Sequence, residues 1–174
     1  MYLISAYFDE KTTKTLQKYI ELIAERSGNT FMTEHHVPPH MTISSVEARN
    51  TEVLLPYMAD LEKILWADDL QFVSVGAFFP YVLYITPVLN RYLQKLSEKV
   101  HAAVEEISEV KENKFYCPYQ WFPHVTLGKT LTKEQMRVAF QVMQESFVPF
   151  EGRIVSVGLA KVNPHVDVWK VRFI

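Results

Sequence analysis

A five-residue pattern, Pro-His-apolar-Thr-apolar, occurs twice in this chain, as PHMTI at 39–43 and PHVTL at 123–127. The two histidines, His40 and His124, stand 124 − 40 = 84 positions apart, close to half of the 174 residues. A motif that returns at half the chain length restricts the fold strongly, because the elements around it must return as well.

The hydrophobic periodicity shows that they do. YLISAYF (2–8) reads as a strand, and 11–29 as a helix with Leu16, Tyr19, Ile20, Ile23 and Ala24 on one stripe and Gly28 as its stop. The first motif opens a strand over 40–46, a helix follows within 51–66, and LQFVSVGAF (70–78) closes the half as a strand. The second half repeats the order. It has a strand at 81–86, a helix from Pro87 to about Ile107 capped by Thr86, and the second motif strand at 124–129. A helix opened by a Thr132–Gln135 capping box comes next, then strands 153–162 and 166–174 joined across Asn163-Pro164-His165. The expectation is a single α+β domain over 1–174, built as a two-lobed internal duplication. Antiparallel-rich sheets flanked by helices should enclose a central cleft on a pseudo-twofold axis, with lobe one at about 1–80 and lobe two at about 81–174.

Composition narrows the function. A net charge of −2 and a pI near 6.3 disfavour a protein that grips duplex DNA by its phosphates; a small or terminal substrate fits better. MYLISAYFDEK is apolar for only about eight residues with no basic run before it, so neither a signal peptide nor a membrane span is expected. The lone Cys117 forms no internal disulfide, and a cytoplasmic home is the simplest expectation. Nothing bears on oligomeric state.

Side chains alternate faces along a strand. His40, Thr42 and Ser44 should therefore share one face, as should His124, Thr126 and Gly128, with Met41, Ile43, Val125 and Leu127 turned to the core. A pseudo-twofold turns the two polar faces toward each other. Two opposed imidazoles titrating near neutrality can serve as general base and general acid. Two threonine hydroxyls beside them can donate to phosphoryl oxygens. That set fits the cleavage of a phosphodiester, a 2′,3′-cyclic one above all.

PHMTI and PHVTL, with FPHVTLGK around the second, resemble the two His-x-Thr/Ser motifs of the 2H phosphoesterase superfamily, in particular its bacterial RNA-ligase and cyclic-phosphodiesterase-like branch. The resemblance implies that His40 and His124 are the acid–base pair and that Thr42 and Thr126 bind phosphate. It also implies a nucleotide or RNA-end substrate, opened at a 2′,3′-cyclic phosphate or 2′–5′ linkage. Which histidine is the acid stays open. The rival readings are a nucleotide- or RNA-binding module without turnover, and 2′–5′ RNA end-joining.

Other features carry two readings each. FYCPYQWF (115–122) precedes the second motif; Trp121 and Phe122 either stack a nucleobase or pack inward, and the same holds for Tyr7 and Tyr84 on the first strand of each half. EHHVPPH (34–40) offers Glu34, His35, His36 and His40, but at no standard metal-ligand spacing, so neither a metal nor a cofactor is expected. Cys117 as a nucleophile with His124 lacks an orienting partner. Lys129, Arg153 and Lys161 either bring charge to a phosphate or lie on the surface.

Overall fold

The computed structural model describes residues 1–162 and 165–173; Asn163 and Pro164 of the expected last turn, and Ile174, lie outside the described residues. The first half runs β1 (Tyr2–Phe8), α1 (Glu10–Ser27), a one-turn helix α2 (Phe31–Glu34), β2 (Met41–Glu47), α3 (Leu55–Ile64) and β3 (Asp68–Phe78). The second runs β4 (Val82–Pro87), α4 (Arg91–Glu105), a short β5 (Lys111–Glu112), a 3₁₀ turn at Lys114–Tyr116, β6 (Val125–Gly128), α5 (Lys133–Ser146), β7 (Phe150–Lys161) and β8 (Val166–Arg172).

The caps explain most boundaries. Asp9 accepts from the Thr12 amide at the start of α1, and Gly28 ends it at φ 71°, a left-handed conformation that costs glycine nothing. Thr132 and Gln135 form the expected capping box of α5. The start of α4 differs from the expectation. Pro87 completes β4 opposite Phe72, and Asn90, accepting from the Leu93 amide at 2.9 Å, caps the helix instead of Thr86. The Thr86 hydroxyl bonds the Pro123 carbonyl at 2.8 Å and so braces the approach to β6.

All eight strands belong to one antiparallel sheet of order β5-β2-β1-β7-β3-β4-β6, with β8 on the far half of β7. Exchanging β1 with β4, β2 with β6 and β3 with β7 maps the inner six strands onto themselves, the topological signature of the duplication. Each repeat lends the strand that follows its last helix to the other: β3 pairs with β4, and β7 with β1. The division near residue 80 thus separates repeats in sequence, while in space the repeats exchange a strand.

The helices follow the same exchange. α1 and α5 pack together and on β6 and β4, whereas α3 and α4 pack together and on β8 and β2. Between helices and sheet lie fully buried side chains such as Leu16, Ile20, Met58, Leu61, Leu93 and Phe72, each contributing about 1.5–3 kcal/mol of transfer free energy. The sheet curls far enough that β2 and β6, near its two ends, lie against each other. That curl brings the two motifs together. Among the described residues, no helix is long and apolar enough to cross a membrane.

Candidate active site

His40 and His124 each sit one residue ahead of their strand, and each is held in the same way. The Nδ1 of His40 is 2.8 Å from the Pro38 carbonyl, and that of His124 is 2.8 Å from the Phe122 carbonyl. A carbonyl can only accept, so Nδ1 carries the proton in both rings and Nε2 is left for chemistry. Both rings are half-buried. Desolvation lowers His40 from its ordinary value near 6.5 to about 4; repulsion from His165 and His124 adds to this, and the Pro38 carbonyl and Asp167 oppose it. His124 is also lowered by desolvation, against the pull of the Phe122 carbonyl. At neutral pH both rings are therefore free bases.

The threonines are placed by a pairing irregularity that recurs in both repeats. β1 pairs Ile4 with Ser44 and then Ser5 with Thr42; β4 pairs Leu83 with Gly128 and then Tyr84 with Thr126. The extra residue, Ile43 or Leu127, is a bulge that breaks strict alternation immediately after each threonine. Ser44 consequently does not share the face of Thr42. Its hydroxyl turns to Glu112 at 2.5 Å, beside His101 of α4. Gly128 likewise faces inward: a Cβ there would meet the buried Leu131 side chain at 3.1 Å, so it does not open the cleft to ligand. Thr42 is nearly buried and Thr126 partly exposed.

Around this symmetric frame the surroundings differ sharply. His124 is enclosed by aromatics: Phe78 edge-on at 4.8 Å between ring centroids, Tyr84 at 5.5 Å and Phe122 stacked at 6.2 Å. Phe78 and Phe122 are 43% and 44% exposed, leaving open ring surface beside the histidine. Phe79 and Tyr81, at the β3–β4 turn, are also exposed. His40 instead has polar company from β1 and β8. The Tyr7 ring is 6.3 Å away and His165 5.6 Å away. The Tyr7 hydroxyl donates to Asp167 at 2.8 Å, and the His165 Nε2 lies 3.4 Å from the same carboxylate. Burial and that carboxylate push the Tyr7 phenol well above its ordinary value, so it stays a neutral donor. The Lys170 ammonium sits 3.6 Å from the centre of the Tyr7 ring.

Of the four stacking candidates, Phe122 and Tyr84 are at the site with exposed or partly exposed rings. Trp121 and Tyr7 need correction. Trp121 is 7% exposed and its indole N–H donates to the Thr42 carbonyl at 2.9 Å, so it ties the approach to β6 onto β2 from within the core. Tyr7 is 4% exposed, with one face covered by Lys170. Neither offers a face to a base. Tyr7 and Tyr84 each lie over a glycine of the adjacent strand: a Cβ on Gly158 would meet Tyr7 at 3.0 Å, and one on Gly76 would meet the Tyr84 hydroxyl at 2.6 Å. Cys117 lies near Glu112 and is no partner of His124. Lys129 lies over Phe31 and Arg153 pairs with Asp69, so neither serves the site; Lys161 is exposed on β7.

No family model matches the sequence, and no curated protein does. Solved structures do. A phosphoesterase crystal structure superimposes with a TM-score of 0.67 at 10% identity, covering 99% of this chain and 97% of that one. TT0787 of Thermus thermophilus gives 0.65 at 16% identity, with coverages of 99% and 97%. E. coli LigT in complex with 3′-AMP gives 0.62 at 11% identity, again covering 99% and 97%. At such identities the likeness is one of fold, over the whole chain.

Proposed function

We propose that the protein is a 2H-type phosphoesterase that opens a 2′,3′-cyclic phosphate or a 2′–5′ linkage of a nucleotide or RNA end. The observation that carries the proposal is the pair of imidazoles on one curled sheet, each anchored through Nδ1 and each followed by a threonine. LigT, of the same fold, has been crystallised with 3′-AMP, and a nucleotide of that kind is the ligand class we assign to this cleft.

The unequal surroundings favour one division of the two roles. An in-line displacement places the attacking water and the leaving ribose oxygen on opposite sides of phosphorus. The exposed rings of Phe78 and Phe122 favour the nucleoside on the His124 side, since base–aromatic stacking is worth about 1–3 kcal/mol. The leaving oxygen is then beside His124, and the water beside His40. His40 Nε2 takes the proton as the water oxygen bonds to phosphorus, the phosphorus–ribose oxygen bond breaks, and protonated His124 gives its proton to that oxygen. Thr42 and Thr126 donate to the non-bridging oxygens. Two imidazoles supply both proton transfers, so the scheme needs no Lewis acid.

The test is turnover, with a chelator present, over 2′,3′-cyclic mononucleotides, 2′–5′ dinucleotides and cyclic-phosphate-ended RNAs. Hydrolysis of at least one class is expected. Binding without turnover of any would leave a binding module. Activity that a folded protein regains only with added zinc or manganese, and regains equally when Cys117 is replaced by serine, would overturn the two-histidine scheme.

The pH profile of kcat/KM follows from the shifts. His40 must be neutral, so activity falls as pH drops through about 4. His124 must be protonated, and its value is below 6.5, so activity falls as pH rises through that lower value. The bell should peak on the acid side of about 6.5. A profile still rising above about pH 7.5 would show that His124 is not the acid.

Tyr84 should position His124 because Gly76 lets its ring lie on β3. Gly76→Ala is expected to lift the phenol and lower kcat by about 10- to 100-fold, since misplacement of an ångström costs that much. Wild-type kcat in a folded Gly76→Ala protein would show that Tyr84 has no such role.

A further inference from the structure

Between α4 and β2, three side chains of different chemistry converge. His101 comes from α4, Glu112 from β5, and Cys117 from the loop after the 3₁₀ turn. We propose that they form a binding site for a borderline-soft divalent cation of the zinc class, which staples the loop leading to His124 onto the body of the fold.

The donor atoms lie within 4.8 Å of one another, the one such group among the described residues. The His101 Nδ1 is 2.5 Å and the Cys117 sulfur 3.9 Å from the same Glu112 oxygen, Oε2. Ligands of a tetrahedral zinc, at about 2.0–2.3 Å from the metal, stand about 3.3–3.7 Å from each other. Small side-chain rotations on an unchanged backbone bridge the difference. Nitrogen, carboxylate oxygen and sulfur together suit zinc or cobalt; magnesium and calcium take oxygen sets.

Supporting contacts are in place. The Ser44 hydroxyl holds the other Glu112 oxygen at 2.5 Å, and the exposed Glu105 carboxylate lies 3.8 Å from the His101 Nε2, on the side of the ring away from Glu112. The Glu112 side chain is only 9% exposed, so its charge has a strong need of a partner. His101 and the Cys117 thiol, which donates weakly to Oε2 across 3.9 Å, meet part of that need; a cation shared by all three would meet it more fully. The loop carrying Cys117 continues into Trp121, Phe122 and His124, so an ion here would fix that approach from behind. Water would complete the coordination. The inference is independent of the chemistry proposed for the cleft.

The experiment uses the full-length, tag-free protein, stripped by chelation and titrated with Co²⁺ and then Zn²⁺. One equivalent of cobalt should bind, giving a thiolate-to-cobalt charge-transfer band and the intense visible absorption of tetrahedral cobalt, and zinc should displace it. Thermal unfolding should move upward with zinc. Cys117→Ser, a one-atom change, should abolish the charge-transfer band and weaken zinc binding by at least about a hundredfold; Ser44→Ala should weaken it by about 10- to 100-fold. No saturable uptake would overturn the proposal. So would uptake that is unaltered in Cys117→Ser, a variant expected to keep its fold.

Discussion

Alanine at His40 or at His124 is expected to lower kcat by about 10²–10⁴ on whichever substrate turns over, because in the proposed scheme each ring carries one of two coupled proton transfers. The double variant should lose much less than the product of the two losses, since groups acting as a unit are not additive. Folding is expected to survive, because Nδ1 of each ring bonds only a carbonyl two residues back. Stability supplies an independent check. Below about 6.5 an unfolded His40 takes up a proton that the folded ring, lowered to about 4, refuses, so the wild type loses stability as pH falls across that window. His40→Ala lacks this loss. Its melting temperature should gain on the wild type as the buffer is taken from about pH 7 to about pH 4.5. A single variant with near-wild-type kcat would remove the paired assignment; a variant inactive only because it unfolds would make that histidine structural.

The duplication and the two motifs were legible because they are written in local patterns. Period-3.6 stripes gave α1, α3 and α5, and the Thr132–Gln135 pair gave the start of α5 to the residue. Period-2 alternation assigned Thr42 and Thr126 their face, but it misplaced Ser44 and Gly128, because a bulge leaves no mark in a single strand's composition. It exists only in the pairing with β1 or β4.

What surrounds each histidine was illegible for the same reason. Phe78, from the end of β3, reaches His124 only because β3 is exchanged into pairing with β4. Asp167, His165 and Lys170 reach His40 and Tyr7 only because β8 extends the sheet on β7. Trp121 looked like a stacking residue, yet only the curl of the sheet brings the Thr42 carbonyl to its indole. His101, Glu112 and Cys117, at separations of 11 and 5, match no standard ligand spacing and meet through tertiary packing alone. A sign was present at Gly76 and Gly158, one in each repeat, where a glycine inside a strand marks a close approach; in each case the neighbour is a tyrosine ring.

Thr42→Ala and Thr126→Ala are each expected to lower kcat by about ten- to a thousandfold with little change in KM, because in the proposed scheme the hydroxyls donate where negative charge grows in the transition state. Serine at either position keeps the donor and should restore most of the rate. The two sites need not be equal. Thr42 is nearly buried, opposite Ser5, with its strand held by the Trp121 indole, so packing restrains its side chain before substrate arrives. Thr126 is partly exposed, opposite Tyr84, and must shed water to donate. A preorganised donor contributes more to the barrier than one that reorganises, so Thr42→Ala should be the more damaging of the two. Single-turnover rates of both alanine and both serine variants decide the matter. Equal activity in the alanine variants and the wild type would show that neither hydroxyl touches the phosphoryl group. Loss in the serine variants as deep as in the alanine ones would show that the threonines act through their methyl groups, by packing the bulge, rather than through a hydrogen bond.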